Sequence, residues 1–294
     1  MVLRKVYLLP LLLFVLIPVT FLITYVISIC LHHVEIEFPY ISDTGTYIPE
    51  SCIFGELLTI VALFLMATTY VKFKQVEQYY RDHLSAESSK VLKFNLASLW
   101  MGWIGAFGVT LVANFQETSV SIVHFIGTFI AFGSGIVYMW LQTIMSYYAY
   151  PLLNSLAVAR VRLGLALMSS VCFIITIVTG VIAMKHFNGK DPTKWYPKDG
   201  GFVYHLISTI TEWILVMGFD FFFLTFVREL RHISLLSPQV HFLIEELDLP
   251  TSDIYRSDEQ EITHSQNNFN SSVAGLQNVN SVEQNYLTIQ AVIH

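Results

Sequence analysis

The run VYLLPLLLFVLIPVTFLITYVISI, residues 6–29, has no charged side chain, and five similar runs follow it at residues 53–71, 96–114, 120–145, 163–184 and 203–227. A helix needs roughly 17 to 25 apolar residues to cross a hydrocarbon core about 30 Å thick, and every run reaches that length. Only helices and closed β-barrels satisfy all their backbone hydrogen bonds in lipid. The runs are continuously apolar and lack the alternation of polar and apolar residues in barrel strands, so helices are predicted. The sequence therefore predicts an all-α integral membrane protein, a bundle of six transmembrane helices.

The composition also indicates a membrane protein. The chain has 294 residues, of which 54% are hydrophobic and 13% are charged, whereas soluble domains average roughly 25% charged residues. Residues 1–231 are predicted to form the six-helix membrane domain, and residues 232–294 an acidic tail rich in Asn, Gln and Ser. Such a tail cannot bury enough apolar surface to offset the entropy lost on ordering, so we expect it to be disordered.

The first run admits a second interpretation, a cleaved signal peptide, because Arg4 and Lys5 precede it. Its apolar part is longer than the roughly 7 to 15 residues of a signal core, and no small-x-small cleavage site closes it. We therefore predict that the first helix is retained. The orientation of the other five helices is the same in both cases.

The orientation follows from the basic residues, which are enriched in cytosolic loops. If the N-terminus is cytosolic, twelve of the sixteen lysines and arginines lie on that side, namely Arg4, Lys5, Lys72, Lys74, Arg81, Lys90, Lys93, Arg160, Arg162, Arg228, Arg231 and Arg256. The other four, at positions 185, 190, 194 and 198, all lie between the fifth and sixth helices. We predict that both termini are cytosolic and that the first loop is lumenal or extracellular.

The first loop and its flanks, HHVEIEFPYISDTGTYIPESCIFGE at residues 32–56, contain five carboxylates and no lysine or arginine. We expect Asp43 to shape this loop through a local Asx-type turn. Cys30 and Cys52 flank the loop and could form a disulfide if the compartment is oxidising. The alternative is two free thiols near a membrane boundary.

Polar residues predicted near the lumenal boundary form the candidate site, a lumenal-side cluster that comprises Asp43, Glu50, Glu56, Asn114, His124 and His205, with Glu212 deeper, near the midplane. Charged groups in lipid usually face the bundle interior or a water-filled cavity. Histidine and carboxylate on one side could act on a lipid head group or form a proton path. The alternative is that groups near the interface merely reach water, and that Glu212 is a hydrogen-bonded acid that holds helices together.

Motifs of soluble enzymes are missing from the sequence, which has no phosphate-binding glycine loop, no His-Glu-x-x-His and no Cys-x-x-Cys. We predict no catalytic residues, no metal site, no cofactor and no nucleic-acid partner. The segment from Tyr286 to Ile289 in the tail is predicted as a short interaction motif for sorting adaptors or for autophagy ubiquitin-like proteins. The alternative is an unstructured end of the tail.

A set of short words occurs along the chain in a fixed order. These are PYISDTGT at 39–46, VANFQE at 112–117, QTIMSY at 142–147, W-x-P at 195–197, VYHLIS at 203–208 and FFLTF at 222–226. Together they resemble the DRAM family, the DNA-damage-regulated autophagy modulators, within the wider Frag/DRAM/Sfk membrane superfamily. The similarity covers roughly residues 6–235, and the tail departs from it.

The resemblance implies a six-helix protein of lysosomal or endosomal membranes that promotes autophagy and, in some members, cell death under stress. It supplies no established catalytic residues, so we expect a regulator and not an enzyme. One member of the superfamily takes part in remodelling GPI-anchored lipids, which keeps open a lumenal lipid-modifying or lipid-transfer protein as the alternative. A proton-coupled transporter is the third hypothesis. Membrane lipids are the expected partners, and the sequence leaves the oligomeric state open.

Overall fold

Six long helices make up most of the structure, a computed structural model that describes residues 2–236 except residues 4, 84–88 and 152. The helices are α1 Leu8–Cys30, α2 Glu50–His83, α3 Ser89–Asn114, α4 Ser121–Tyr148, α5 Leu156–His186 and α6 Phe202–Leu224, followed by the short α7 Phe226–Leu230. All six long helices are apolar enough to cross a membrane. The prediction of a six-helix membrane protein is therefore confirmed.

Several helices continue past the apolar runs that predicted them. The second run ends at residue 71, whereas α2 continues to His83 through the polar segment KFKQVEQYYRDH. An apolar run marks the part of a helix that meets lipid, but a helix that is already nucleated propagates at little cost into water. Ion pairs from Glu77 to Lys74 and Arg81, three and four residues away, support this polar extension.

The helices form a ring, because each long helix packs against the next one in sequence and α6 packs back against α1. The segment before α1 and the segment after α7 form a short antiparallel pair, β1 Val2–Leu3 with β2 Leu235–Leu236. We call the end of the ring that carries this pair the terminal face. The opposite end carries the connection between α1 and α2, residues 31–49, and we call it the loop face.

Small residues bring the backbones of α3 and α4 into direct contact. A Cβ atom at Gly108 would lie 2.4 Å from the amide nitrogen of Ala131, and one at Gly127 would lie 2.7 Å from Cβ of Leu111. Close backbone approach of this kind is how small residues stabilise helix pairs in membranes. The remaining core is aromatic and aliphatic, with Phe222 and Phe226 of the last two helices fully buried.

Candidate functional site at the loop face

Residues 39–46 of the first loop, which we call the plug, fold back into the loop face of the ring. Most of the plug is buried, and it contains a single 3-10 turn, Asp43–Gly45. Buried backbone groups need partners, and α6 supplies two of them. The Ile41 amide donates to Oε2 of Glu212 at 3.0 Å, and Nε1 of Trp213 donates to the Pro39 carbonyl at 3.0 Å.

Two further contacts hold the plug against α1 and α2. The hydroxyl groups of Thr24 and Thr44 lie 3.1 Å apart, within hydrogen-bond distance. Gly45 lies against the ring of Phe54, so closely that a Cβ at this position would be 2.3 Å from Cγ of Phe54. The plug is thus packed on three helices, and the space beside Gly45 admits no side chain.

Carboxylates surround the plug. Ser42 donates its hydroxyl to Glu117 at 2.9 Å, and Asp43 accepts from the Tyr40 amide at 3.3 Å. Burial raises the pKa of Asp43 well above its usual range, and the negative charges of Glu117 and Glu212 raise it further. Asp43 therefore keeps its proton to a higher pH in the folded protein than an exposed aspartic acid does.

The expected Asx-type turn at Asp43 is wrong. Such a turn would join the side chain to an amide that follows it, but the Asp43 carboxylate accepts from Tyr40, three residues before it. The backbone of residues 43–45 is already in a 3-10 turn, in which the Asp43 carbonyl accepts from the Thr46 amide at 3.3 Å. The Asp43 side chain instead accepts from the segment that precedes the turn, at the Tyr40 amide.

His205 lies beside the plug and is packed as an aromatic residue. Its ring stacks on Trp195 with centroids 4.3 Å apart and meets the edge of Tyr40 at 5.1 Å. It is 4% exposed, and its Nδ1 atom has no hydrogen-bond partner in the described part of the chain. Burial also raises the pKa of Tyr40. The histidine thus lies under two aromatic rings, away from bulk water.

A second group of the predicted residues lies around an open cleft on the loop face. Glu50, the first residue of α2, is fully buried, and its carboxyl group lies within hydrogen-bond distance of Nδ1 of His33. Glu56 and Asn114 line the cleft, which has a volume of about 740 Å³, together with His33 and Cys52. Cys30 and Cys52 are both free and exposed.

His124 belongs to neither group. It is buried, and its Nδ1 atom lies 2.7 Å from the Phe115 carbonyl, to which the ring N–H must donate. Its side chain lines an apolar cavity inside the ring of helices. The seven predicted residues are therefore distributed over three places, with Asp43, His205 and Glu212 at the plug, Glu50, Glu56 and Asn114 around the cleft, and His124 at the cavity.

In the described residues, no group of three or more His, Cys, Asp or Glu side chains is placed to hold a metal ion. The plug site is built to dock a loop through carboxyl groups that accept from its amides and hydroxyls. Glu117 was missed as a site residue, because it sits in a short connection with no helical pattern around it. Its place in the word VANFQE was the available signal. Tyr286 and Ile289, the predicted tail motif, lie outside the described residues.

A buried ion cluster at the terminal face was also missed. Lys72 of α2 and Arg162 of α5 both pair with Glu229 of α7, and Nη2 of Arg162 lies 2.7 Å from the carboxylate. Arg162 also donates from Nη1 to Ser146 at 2.6 Å and from Nε to Thr225 at 2.8 Å. Two cations share one carboxylate, so the cluster carries a formal excess of one positive charge. Counting basic residues placed both cations on one side of the membrane but gave no sign that they were buried.

Comparison with known proteins finds a family and no solved structure. Residues 5–233 match the family described as the Frag1/DRAM/Sfk1/Cwh43P N-terminal domain. The chain is 40% identical to DNA damage-regulated autophagy modulator protein 2 of Mus musculus over 219 residues, 74% of this chain and 80% of the relative. It is 39% identical to DNA damage-regulated autophagy modulator protein 1 of Homo sapiens over 216 residues, 73% and 87% of the two chains.

A more distant similarity extends the same pattern. The chain is 31% identical to the modulator of macroautophagy TMEM150B of Danio rerio over 203 residues, 69% of this chain and 75% of the relative. No solved structure matches the chain significantly. The matched region, residues 5–233, contains all six long helices and the plug.

Proposed function

The chain belongs to the Frag1/DRAM/Sfk1/Cwh43P family, and from this membership we propose that it promotes autophagy from a lysosomal or endosomal membrane. Relatives that are named as autophagy modulators align with 203 to 219 residues of this chain, and this observation carries the proposal. The role therefore lies in the membrane domain. Cell death under stress is a further outcome of the same role.

The proposal includes an orientation, with the termini in the cytosol and the loop face in the lumen. Basic residues concentrate on the side of the termini, which supports it. In this orientation the plug meets the acidic lumen, where a protonated Asp43 is favoured. The tail would face cytosolic sorting adaptors or autophagy ubiquitin-like proteins, which the motif from Tyr286 to Ile289 would bind.

Deletion of the gene, followed by measurement of autophagic flux and of the location of a tagged protein, tests the proposal. We expect lower flux in the deleted cells, restoration by the wild-type chain, and colocalisation of the tag with lysosomal markers. The Gly45→Val variant should restore little flux because a side chain there would collide with Phe54. Unchanged flux together with residence in the plasma membrane would exclude the proposed role.

A lumenal lipid-modifying or lipid-transfer protein is the second candidate, and the open cleft favours it. The cleft has room for a lipid head group and is lined by Glu56, Asn114 and His33. Lipid profiles of purified lysosomes should then change in cells that carry Glu56→Ala, in the same direction as in deleted cells. The same lipid profiles should be measured for the single alanine variants of His124, His205 and Glu212. Wild-type lipid profiles in all four variants would remove this candidate.

A further inference from the structure

Basic residues occur in one segment of the loop face. The last turn of α5 and the connection from α5 to α6 contain Lys185, Lys190, Lys194 and Lys198, and we call residues 185–201 the lysine loop. The other connections at this face, residues 31–49 and 115–120, contain four carboxylates and no lysine or arginine. In the proposed orientation the lysine loop also departs from the rule that basic residues collect on the cytosolic side, so it calls for a local function.

The amino groups of the lysine loop have no acidic partner among the residues that the structure describes. Lys185, Lys190 and Lys198 are exposed, and Lys194 is half-buried. None of the four takes part in an ion pair within the described part of the chain. Nζ of Lys198 lies 5.3 Å from the centroid of the Tyr196 ring, a cation–π contact that leaves its N–H groups able to donate. An anion at this loop would therefore meet donors that no protein carboxylate occupies.

The two aspartates of the lysine loop hold its shape. Asp191 accepts from the Thr193 hydroxyl at 2.7 Å, and Asp199 accepts from the Tyr196 amide at 3.0 Å. The Asn188 amide donates to the Asp199 carbonyl at 2.7 Å, which folds the loop back on itself. The lysines are thus carried by a fixed backbone, and less entropy is lost when they bind a ligand. Four lysines against two aspartates leave the loop with an excess of two positive charges.

An apolar surface that faces the lipid lies beside the lysines. Met184, in the last turn of α5, is 50% exposed, and Val203 and Tyr204, in the first turn of α6, are 65% and 44% exposed. The ring of Tyr204 stacks on that of His186 with centroids 6.3 Å apart, so the two helix ends form one surface. We call Met184, Val203 and Tyr204 the seam. Exposed apolar side chains of spanning helices contact acyl chains, and lysines at a helix end reach the head groups.

This combination of cations and apolar surface fits a phospholipid better than a soluble partner. A phospholipid brings a phosphate and acyl chains together, whereas a free phosphate would leave the seam unused. A large acidic protein would meet the carboxylates beside the lysine loop, because Glu35 accepts from the Tyr196 hydroxyl and Glu37 is exposed. Like charges at such an interface oppose binding. Basic sites between transmembrane helices are suited to the head groups of anionic lipids.

We propose that the lysine loop binds the head group of an anionic phospholipid in the leaflet at the loop face, with the acyl chains against the seam. The negative phosphodiester matches the excess positive charge of the loop. A zwitterionic phospholipid binds less well, because the same lysines repel its amine. The site is separate from the open cleft, which is lined by the first loop, α2, and the end of α3 with the connection that follows it.

The test uses the full chain in phosphatidylcholine nanodiscs with a trace of phosphatidylglycerol or of phosphatidylcholine, each carrying the same photoreactive diazirine on an acyl chain. Mass spectrometry maps the crosslinks and gives the ratio of phosphatidylglycerol to phosphatidylcholine labelling at each position. At the seam we expect a preference for phosphatidylglycerol of about fivefold or more, since one lysine near a membrane surface contributes about that factor. Ile122 and Phe125, which are 74% and 52% exposed at the start of α4 on the same face, should show no preference.

Two quadruple variants separate the charge of the lysines from their structural role. Replacement of Lys185, Lys190, Lys194 and Lys198 by glutamine should remove the preference at the seam, and replacement of all four by arginine should retain it. Phosphatidylcholine labelling of the seam should be the same in both variants as in the wild type, because the fold does not depend on these exposed amines. Added salt should lower the wild-type preference, since exposed charges are screened.

Competitors identify the source of the anion. Excess unlabelled phosphatidylglycerol should displace the label from the seam. Glycerophosphoglycerol, its water-soluble deacylated form, and poly-glutamate at an equal concentration of negative charge should leave most of the preference. Displacement by glycerophosphoglycerol would make the ligand a free phosphodiester, and displacement by poly-glutamate an acidic protein, and either result would overturn the proposal. Equal labelling by the two lipids at the wild-type seam, or a preference that survives in the glutamine variant, would overturn it as well.

Discussion

Gly45 is the position in the plug where the structure admits no side chain. A Cβ there would lie 2.3 Å from Cγ of Phe54, whereas a Cβ at Gly133 on α4 would meet no heavy atom within 4 Å. We expect Gly45→Ala to destabilise the protein by about 1 to 3 kcal/mol, the usual cost of overpacking. Thermal unfolding in detergent measures this, with Gly133→Ala as the matched control.

A double variant of Gly45 and Phe54 tests whether the collision between them causes the loss of stability. Phe54→Leu removes ring atoms from the site of the collision, so the double variant Gly45→Ala with Phe54→Leu should lose less stability than the two single effects added together. Additive losses would show that the collision with Phe54 is not the cause.

The ion cluster of Lys72, Arg162 and Glu229 is the second residue-scale feature with a measurable consequence. Glu229→Gln leaves two buried cations without a carboxylate, and we expect a loss of about 3 to 5 kcal/mol. The triple variant Lys72→Met, Arg162→Met, Glu229→Leu removes all three charges and should recover most of it. Glu77→Gln, at an ion pair on the polar extension of α2, should cost only about 0 to 1 kcal/mol.

The sequence predicts the membrane depth of the candidate site residues better than it predicts their contacts, and the reason is physical. Hydropathy and helix length predicted that Glu56, His124 and His205 lie in helices near one level and that Glu212 lies deeper, because depth depends only on distance along the chain. Which of them meet depends on the rotation of each helix, and rotation is set by side-chain packing. Asp43 comes near Glu212 because the plug, which contains Asp43, inserts against α6, and no pattern in the loop predicted that insertion.

The plug acts as an element in its own right, although it has only one turn of regular structure. One of its amides and one of its carbonyls pair with side chains of α6, its Thr44 hydroxyl lies within hydrogen-bond distance of Thr24 on α1, and other hydrogen bonds form within the plug itself. The docking therefore depends on the protonation of the carboxyl groups around it. Sequence patterns detect helices through periodicity, and a buried irregular segment of this kind has none.

The pH dependence of plug docking follows from Asp43. A carboxyl group whose pKa is raised on folding stabilises the folded state fully below its unfolded pKa of about 3.9, and this stabilisation is lost as the pH rises through the folded pKa. We therefore expect a higher Tm at about pH 5 than at about pH 7.5. Asp43→Asn cannot ionise and still accepts from Tyr40, so it should reduce the difference.

Glu37→Gln is the matched control for this measurement, since Glu37 is an exposed carboxylate of the same loop. It should leave the pH dependence of Tm as in the wild type. An Asp43→Asn protein with the full wild-type dependence would assign the effect to other groups.

At the scale of the whole molecule, an even number of helices and the pairing of β1 with β2 place both ends of the membrane domain on the terminal face. Six apolar runs were enough to predict six transmembrane helices, because in lipid each run can satisfy its own backbone hydrogen bonds only as a helix. The ring closure between α1 and α6 was not predictable from the runs. It depends on contacts such as the T-shaped packing of Phe21 on Trp213, whose residues are distant in sequence.

The sidedness of this ring can be measured with the native cysteines. The chain has three, of which Cys30 and Cys52 are exposed on the loop face and Cys172 is buried in α5. If the loop face is lumenal, a membrane-impermeant maleimide added to intact lysosomes should label neither exposed cysteine, and permeabilisation should expose both. Cys172 should stay unlabelled in both conditions, because burial keeps the thiol away from the aqueous reagent.

A reversed control makes the result unambiguous. In a chain with Cys30→Ser and Cys52→Ser, the added Ala157→Cys places an exposed thiol near the start of α5, at the terminal face. It should react before permeabilisation. Labelling of Cys30 and Cys52 in intact lysosomes, together with protection of the thiol at position 157, would invert the orientation. The plug and Asp43 would then face the neutral cytosol, so the acid-dependent docking of the plug would have no role in the organelle.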